Sequence, residues 1–170
     1  VTITITAIND APVLATIGDQ SSYGGVDIAL SATDVDGDTL TYAVGSDESN
    51  VTASISGTTL TLTPVAAWSG TANITVIVSD SSLTDSETFV FTVDAGAPAL
   101  ASIIDQVTNE DEALDVELSA TDPNGDDLTF SAVSNETNVT VSISDTPLTL
   151  TPAADWNGTA TITVSVTDGT

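Results

Sequence analysis

Hydrophobic and polar residues alternate along most of the chain. Val1, Ile3 and Ile5 are separated by Thr2, Thr4 and Thr6, and the same period of two returns in Val26/Ile28/Leu30/Ala32, Leu40/Tyr42/Val44, Val51/Ala53/Ile55, Leu60/Leu62, Ala72/Ile74/Val76/Val78 and Phe89/Phe91/Val93. A period of two places every second side chain on one face of a strand, and β-branched or aromatic residues suit such a pleated, half-buried surface. No stretch carries a useful 3.6-residue period, so helix is expected to be nearly absent. Turn signals divide the runs: Asn9-Asp10-Ala11-Pro12, Asp36-Gly37-Asp38, Gly57, and the corner Pro64–Gly70 that contains Trp68. Val13–Ile17 is expected as an edge strand. About seven short strands per unit with turn signals every 8–12 residues predict an all-β chain of immunoglobulin-type sandwiches.

The pattern occurs twice. Residues 119–168 repeat residues 31–80 without a gap, at an offset of 88 (119 − 31), and 32 of the 50 positions are identical. Self-similarity of this size means two copies of one small domain. The expected division is a first domain at 9–94 and a second at 95–170. The second copy stops at Asp168-Gly169-Thr170, where the first copy continues into Thr88–Val93, so its last strand is missing from the pattern. Residues 1–8 form a surplus strand. Aligning Pro12 with Pro98 sets Ile3, Ile5 and Ala7 opposite Phe89, Phe91 and Val93, and Thr170 followed by Val1 reads as an unbroken repeat. Two arrangements explain this: a segment of a longer tandem array, or donation of residues 1–6 to the second domain of a neighbouring copy by β-strand addition. A head-to-tail contact of that kind propagates instead of closing. A third possibility is that Val1–Thr6 pairs within the first domain.

Charge then restricts the chemistry. There are 25 acids and no Lys, Arg or His, a net charge of −25. No internal salt bridge between side chains is possible, so the acids must be spread out, solvated or neutralised by ions from solution. The 41% hydrophobic content, regularly alternating, argues against disorder. Small domains have modest cores and often need a staple; with no Cys, bound metal is the remaining common one. Nucleic acid and anionic membrane surfaces are poor partners, because binding phosphate takes Lys or Arg. No apolar run approaches the roughly 18–20 residues of a membrane span. Without His, Cys, Lys or Arg there is no ordinary nucleophile–base pair, and no glycosidase-like carboxylate pair stands out among the acids, so a non-catalytic role is expected. A carbohydrate-binding or adhesive module acting through Trp68 and Trp156 is the alternative, although their matched corner positions favour capping the core. The chain begins at Val1 and reads as a mature product or an excised piece, with an extracellular location, secreted or at the cell surface, expected.

The candidate site lies in the repeated turn. Ser31-Ala-Thr-Asp34-Val-Asp36-Gly37-Asp38-Thr-Leu40 returns as Ser119-Ala-Thr-Asp122-Pro-Asn124-Gly125-Asp126-Asp127-Leu128. Each copy sets oxygen-bearing side chains around a glycine, which suits a hard cation; Ca²⁺ takes six to eight oxygens, and carboxylates from several loops can supply them. An EF-hand is excluded, since Thr39 stands where its glycine belongs and Gly45 where its Glu belongs. Two plainer readings stand beside Ca²⁺: turn-shaping by Asp and Gly, and acid richness as a solvation device in high salt.

Ala-Thr-Asp-x-Asp-Gly-Asp, the linker Ala7-Ile-Asn9-Asp10-Ala-Pro12, and Asp155-Trp156-Asn157-Gly158-Thr159 together resemble bacterial cadherin-like and immunoglobulin-like tandem repeats of secreted adhesins and surface proteins. The resemblance covers nearly the whole chain. It implies Ca²⁺ at domain junctions, held by acids from the end of one domain, the linker and the start of the next. On that pattern Asn9, Asp10, Asp34, Asp36, Asp38 and Asp80 gather in the first domain, and Asp94, Asp122, Asn124, Asp126, Asp127 and Asp168 at the second. Glu110 and Asp155 would serve the following junction. The copies differ there: Tyr23-Gly24-Gly25 and Ala67 replace the acids near Glu110 and Asp155, and Asp94-Ala95-Gly96-Ala97-Pro98 lacks the Asn-Asp pair. The junction with the most ligands is therefore expected between successive units, joining copies of this chain head to tail into a stiff stalk or filament.

Overall fold

The described residues form sixteen strands, the longer ones from the alternating runs, and contain no helix. The computed structural model describes residues 1–169; Thr170 lies outside them. The chain divides into two units, Val1–Ala95 and Gly96–Thr170.

The first unit is a two-layer sandwich. One layer is the sheet β2 (Gln20–Ser22), β9 (Thr84–Val93), β8 (Gly70–Ser79), β5 (Thr41–Ser46); the other is β3 (Val26–Ala29), β7 (Thr59–Pro64), β6 (Val51–Ser56). A short pair, β1 (Val13–Leu14) with β4 (Ala32–Thr33), completes it. This is the strand arrangement of an immunoglobulin sandwich. The apolar positions of both layers meet in the middle: Leu60, Leu62, Ile74, Val76, Val78 and Phe91 are fully buried, and Trp68 packs against this core from the corner. In the β8–β9 ladder Ile74 faces Phe89, Ala72 faces Phe91 and Gly70 faces Val93, so the last strand supplies the largest core side chains.

Two features depart from the expected strands. The edge strand expected at Val13–Ile17 is only β1, because the chain leaves β4, turns at Gly18 and rejoins the opposite layer as β2, parallel to β9. Backbone amides along that route still need acceptors, and carboxylates supply them. Leu14 N–H donates to Asp85 at 2.8 Å, Ile17 N–H to Glu87 at 2.9 Å, and Val90 N–H to Asp19 at 2.8 Å. The second departure is at the N-terminal end. Val1–Thr6 keeps its alternation but joins no sheet, and it does not pair within the first unit. Ile3 and Ile5 are 81% and 91% exposed.

Over the described residues the second unit repeats the plan from Ala99 to Thr167. β10 (Ala99–Leu100) pairs β12 (Ala120–Thr121); β11 (Leu114–Val116), β15 (Leu148–Pro152) and β14 (Val139–Ile143) form one layer; β13 (Thr129–Ser134) and β16 (Ile162–Thr167) form the other. Among the described residues β16 pairs with β13 alone. With no counterpart of β9 beside it, the stretch equivalent to β2, around Gln106–Thr108, has no ladder partner and is not a strand. Ile162, Val164 and Val166 are consequently half-buried, whereas their equivalents Ile74, Val76 and Val78 are sealed.

Candidate metal centre

In the first unit the turn after β4 is built by Asp34. Its Oδ1 accepts the amides of Asp36 at 2.9 Å and Asp38 at 3.2 Å, which closes the loop, and Gly37 supplies the left-handed residue at φ 79°. Carboxylate oxygens of Asp34, Asp36 and Asp38 lie within 4.8 Å of one another. The other oxygen of Asp34, Oδ2, is buried and accepts no hydrogen bond. Like charges this close repel, and a buried unpartnered carboxylate oxygen is costly.

The linker reaches the same end. Asp10 N–H donates to Asp36 Oδ2 at 2.8 Å, and Asn9 Nδ2 donates to Asp80 Oδ2 at 2.7 Å. Asp80 follows β8 directly. Its Oδ1 accepts the amides of Ser82 and Leu83, both at 2.7 Å, and it is the one buried charged residue among those described. The Leu83 amide, with the Asn9 side chain and the Ser82 amide, holds its carboxyl below the usual carboxylate range. Both Asp80 oxygens are thus occupied by donors, whereas Asp34 Oδ2 has none.

The second unit repeats the turn with altered ligands. Asp122 Oδ1 accepts the amides of Asn124, Gly125 and Asp126 at 3.0, 2.9 and 3.1 Å, and Asp122 Oδ2 is buried without a partner. Here the clustered carboxylates are Asp122, Asp126 and Asp168, with oxygens within 4.8 Å. Asn124 takes the place of Asp36 and donates to Asp126 Oδ2 at 2.9 Å. The linker contact persists in weaker form, as Gly96 N–H donates to Asn124 Oδ1 at 3.3 Å. Gly96 replaces Asp10 for a steric reason: a Cβ there would stand 2.6 Å from Pro123 Cγ.

In the first unit the structure clusters Asp34, Asp36 and Asp38, with the Asp10 amide bonded to Asp36, while Asn9 bonds to Asp80, which is outside the carboxylate cluster; in the second it clusters Asp122, Asp126 and Asp168, with Asn124 bonded to Asp126. Asp127 is exposed and outside the cluster. Asp94 follows β9 directly, and its amide donates to the Ser22 carbonyl. Glu110 is exposed, and Asp155 N–H donates at 3.0 Å to Asp111, a residue absent from the sequence-based set. Asp111 and Asp155 both have positive φ, 65° and 56°, which Asp tolerates better than most residues. The orphaned Asp34 and Asp122 oxygens, inside all-oxygen donor groups, fit a hard cation such as Ca²⁺.

Two immunoglobulin-type sandwiches in tandem, each with an acidic turn at its linker end, define the class. The chain belongs to the bacterial Ig domain family, which matches residues 9–92 and again 95–170. Over 130 residues, 72% of its length, it is 31% identical to chitinase A of Pseudoalteromonas piscicida, of which it spans 16%. Among solved structures, it aligns with the first two cadherin repeats of human protocadherin-24 over 93% of this chain and 94% of that one, at 14% identity and a TM-score of 0.44. Titin domains z1z2, in complex with telethonin, align over 93% and 95% at 11% identity and a TM-score of 0.47. The endo-fucoidan hydrolase MfFcnA4 aligns over 92% of this chain and 28% of its own, at 23% identity and a TM-score of 0.42.

Proposed function

We propose that this chain is a non-catalytic extracellular structural element that takes Ca²⁺ at the linker end of each Ig unit and assembles serially with copies of itself into a stiff stalk or filament. The observation that carries this reading is the pair of buried, unpartnered oxygens on Asp34 and Asp122, each inside a carboxylate group, in a chain without one cationic side chain. Neutralisation there has to come from solution. In the first unit Asp34, Asp36 and Asp38 would hold the ion; in the second, Asp122, Asp126 and Asp168. Asn9 and Asp10 support the metal reading from the side, because their bonds to Asp80 and Asp36 fix where the linker meets the unit. Bound Ca²⁺ would screen the repulsion that otherwise loosens this end, making the linker stiff. Electron microscopy with and without a chelator tests the assembly: long regular fibres that loosen on chelation support it, and isolated particles indifferent to calcium refute it.

The chitinase likeness favours one other reading, a carbohydrate-binding accessory module. Trp68 and Trp156 are half-buried, and Cβ atoms at Gly70 and Gly158 would stand 2.8 and 2.5 Å from their rings, so each indole lies against its own corner. Acrylamide quenching separates the two: a sugar platform quenches freely, a corner cap weakly.

A further inference from the structure

Asn124-Gly125 is one of two Asn-Gly pairs in the chain, the other being Asn157-Gly158. Asparagine before glycine is the dipeptide most open to deamidation, because glycine has no side chain to obstruct attack by its own amide on the preceding carboxamide. In the second unit this pair is the centre of the acidic turn, at the position where the first unit has Asp36-Gly37. Resting on the Ca²⁺ site proposed above, we propose that Asn124 is a calcium-gated deamidation site. The closed turn protects it, and the opened turn lets it convert to the acid that the first unit already carries there.

The reaction needs only water. The Gly125 nitrogen attacks Asn124 Cγ: the N–Cγ bond forms, the Cγ–Nδ2 bond breaks, and Nδ2 leaves as ammonia with the Gly125 amide proton. Water then opens the cyclic imide at either carbonyl, giving aspartate or isoaspartate at position 124.

Three hydrogen bonds oppose the first step. Gly125 N–H donates to Asp122 Oδ1 at 2.9 Å, so the nucleophile is held on a carboxylate. Asn124 Nδ2 donates to Asp126 Oδ2 at 2.9 Å and its Oδ1 accepts the Gly96 amide at 3.3 Å, so the carboxamide is held at both ends. Attack requires both groups to leave these partners. Two of the partners are acids of the metal site: Asp122 and Asp126 lie in one carboxylate cluster, and Asp122 Oδ2 is buried without a hydrogen bond. A cation between them cancels the repulsion that favours opening, and the turn then opens only when the ion leaves. At calcium about a hundredfold above Kd, opening of that kind is suppressed roughly a hundredfold.

Conversion alters the site. Asp36 accepts the Asp10 amide at 2.8 Å, whereas Asn124 accepts the Gly96 amide at 3.3 Å. Aspartate at position 124 replaces a neutral acceptor with a charged one, and replaces the Nδ2 donor to Asp126 with a further repulsion. The converted turn is therefore less stable when empty and binds a cation more tightly. Isoaspartate lengthens the backbone by a methylene and shifts the amides of Gly125 and Asp126 off Asp122 Oδ1, which they now share at 2.9 and 3.1 Å.

The test ages the full chain in chelator and in calcium about a hundredfold above Kd, records binding by calorimetry, and follows the exchange of –NH₂ for –OH by peptide mass mapping. Asn157 is exposed and outside both acidic turns, so it is the reference. Conversion of Asn124 should be roughly a hundredfold slower in calcium, and conversion of Asn157 the same in both. Asn124→Asp, which installs the unrearranged product, should bind calcium on the order of tenfold more tightly, since charge count tunes such sites, and should melt lower in chelator. Equal Asn124 rates in a chain that calorimetry shows to be loaded, or an Asn124 that stays intact in chelator while Asn157 converts, overturns the gate and leaves the metal site standing. Unchanged affinity in Asn124→Asp overturns the gain on conversion. Absence of calcium binding by calorimetry removes the metal site, and the gate with it.

Discussion

Asn9 Nδ2 donates to Asp80 Oδ2 at 2.7 Å, joining the linker to the end of β8 across 71 positions of sequence. Only Ile8 separates Asn9 from the exposed segment 1–7, so the root of that segment is held to the end of the first unit that carries the acidic turn. The Asp10 amide adds a second attachment at Asp36. Two adjacent linker residues are therefore tied to the acidic end of the first unit.

Asp80 should make the first unit acid-sensitive. The amide of Leu83, the side chain of Asn9 and the amide of Ser82 favour its ionised form and lower its folded-state pKa below the unfolded value. A depressed pKa contributes stability above the unfolded value, about 3.9, which is lost as pH falls through the folded one. Thermal melts between pH 7 and 2 should show stability falling below about pH 4, and Asp80→Asn should flatten that limb. An unchanged limb would assign acid sensitivity elsewhere, with Asp47 the next group, its pKa lowered by Asn73.

The linker of the second unit can be converted to that of the first. Gly96→Asp alone drives a Cβ against Pro123, whose Cγ is 2.6 Å away, and should cost about 1–3 kcal/mol as other overpacking does. Pairing it with Pro123→Val, which copies Val35, should restore stability and raise the calcium affinity of the second unit. Calorimetric titration of the single and double variants checks both effects.

Ala67 carries strain that its counterpart does not. It has φ 61°, where Asp155 has 56°, and left-handed backbone is less costly for Asn or Asp than for Ala. Ala67→Asn should stabilise the first unit by about 0.5–1 kcal/mol, seen as a rise of several degrees in its melting transition.

The alternation of apolar residues made the long strands β5 to β9 legible, because each has one face in the core and one outside. It could not reveal β2, whose residues Gln20-Ser21-Ser22 are polar and are held by a parallel neighbour rather than by burial. Nor could it show that Asp19, Asp85 and Glu87 accept backbone amides some 70 residues away, since an acid in a polar run looks the same whether solvated or engaged. The D-x-D-G-D turn was legible as a cluster because its geometry is local. Asp111 was missed because its contact with Asp155 spans two loops. Val1–Thr6 has the pattern of a half-buried strand, but pattern alone does not say where the burying partner lies.

Calcium titration of the chelator-treated chain tests the central claim most directly, read by calorimetry and by melting temperature. Heat of binding should appear for the native chain, with its melting temperature raised by about 10 °C or more at calcium a hundredfold above Kd. Asp34→Asn together with Asp122→Asn, which keep the side-chain size and remove the two orphaned charges, should abolish both signals. Equal binding by the native chain and the double variant, or no binding by either, would contradict the assignment of these turns as metal sites.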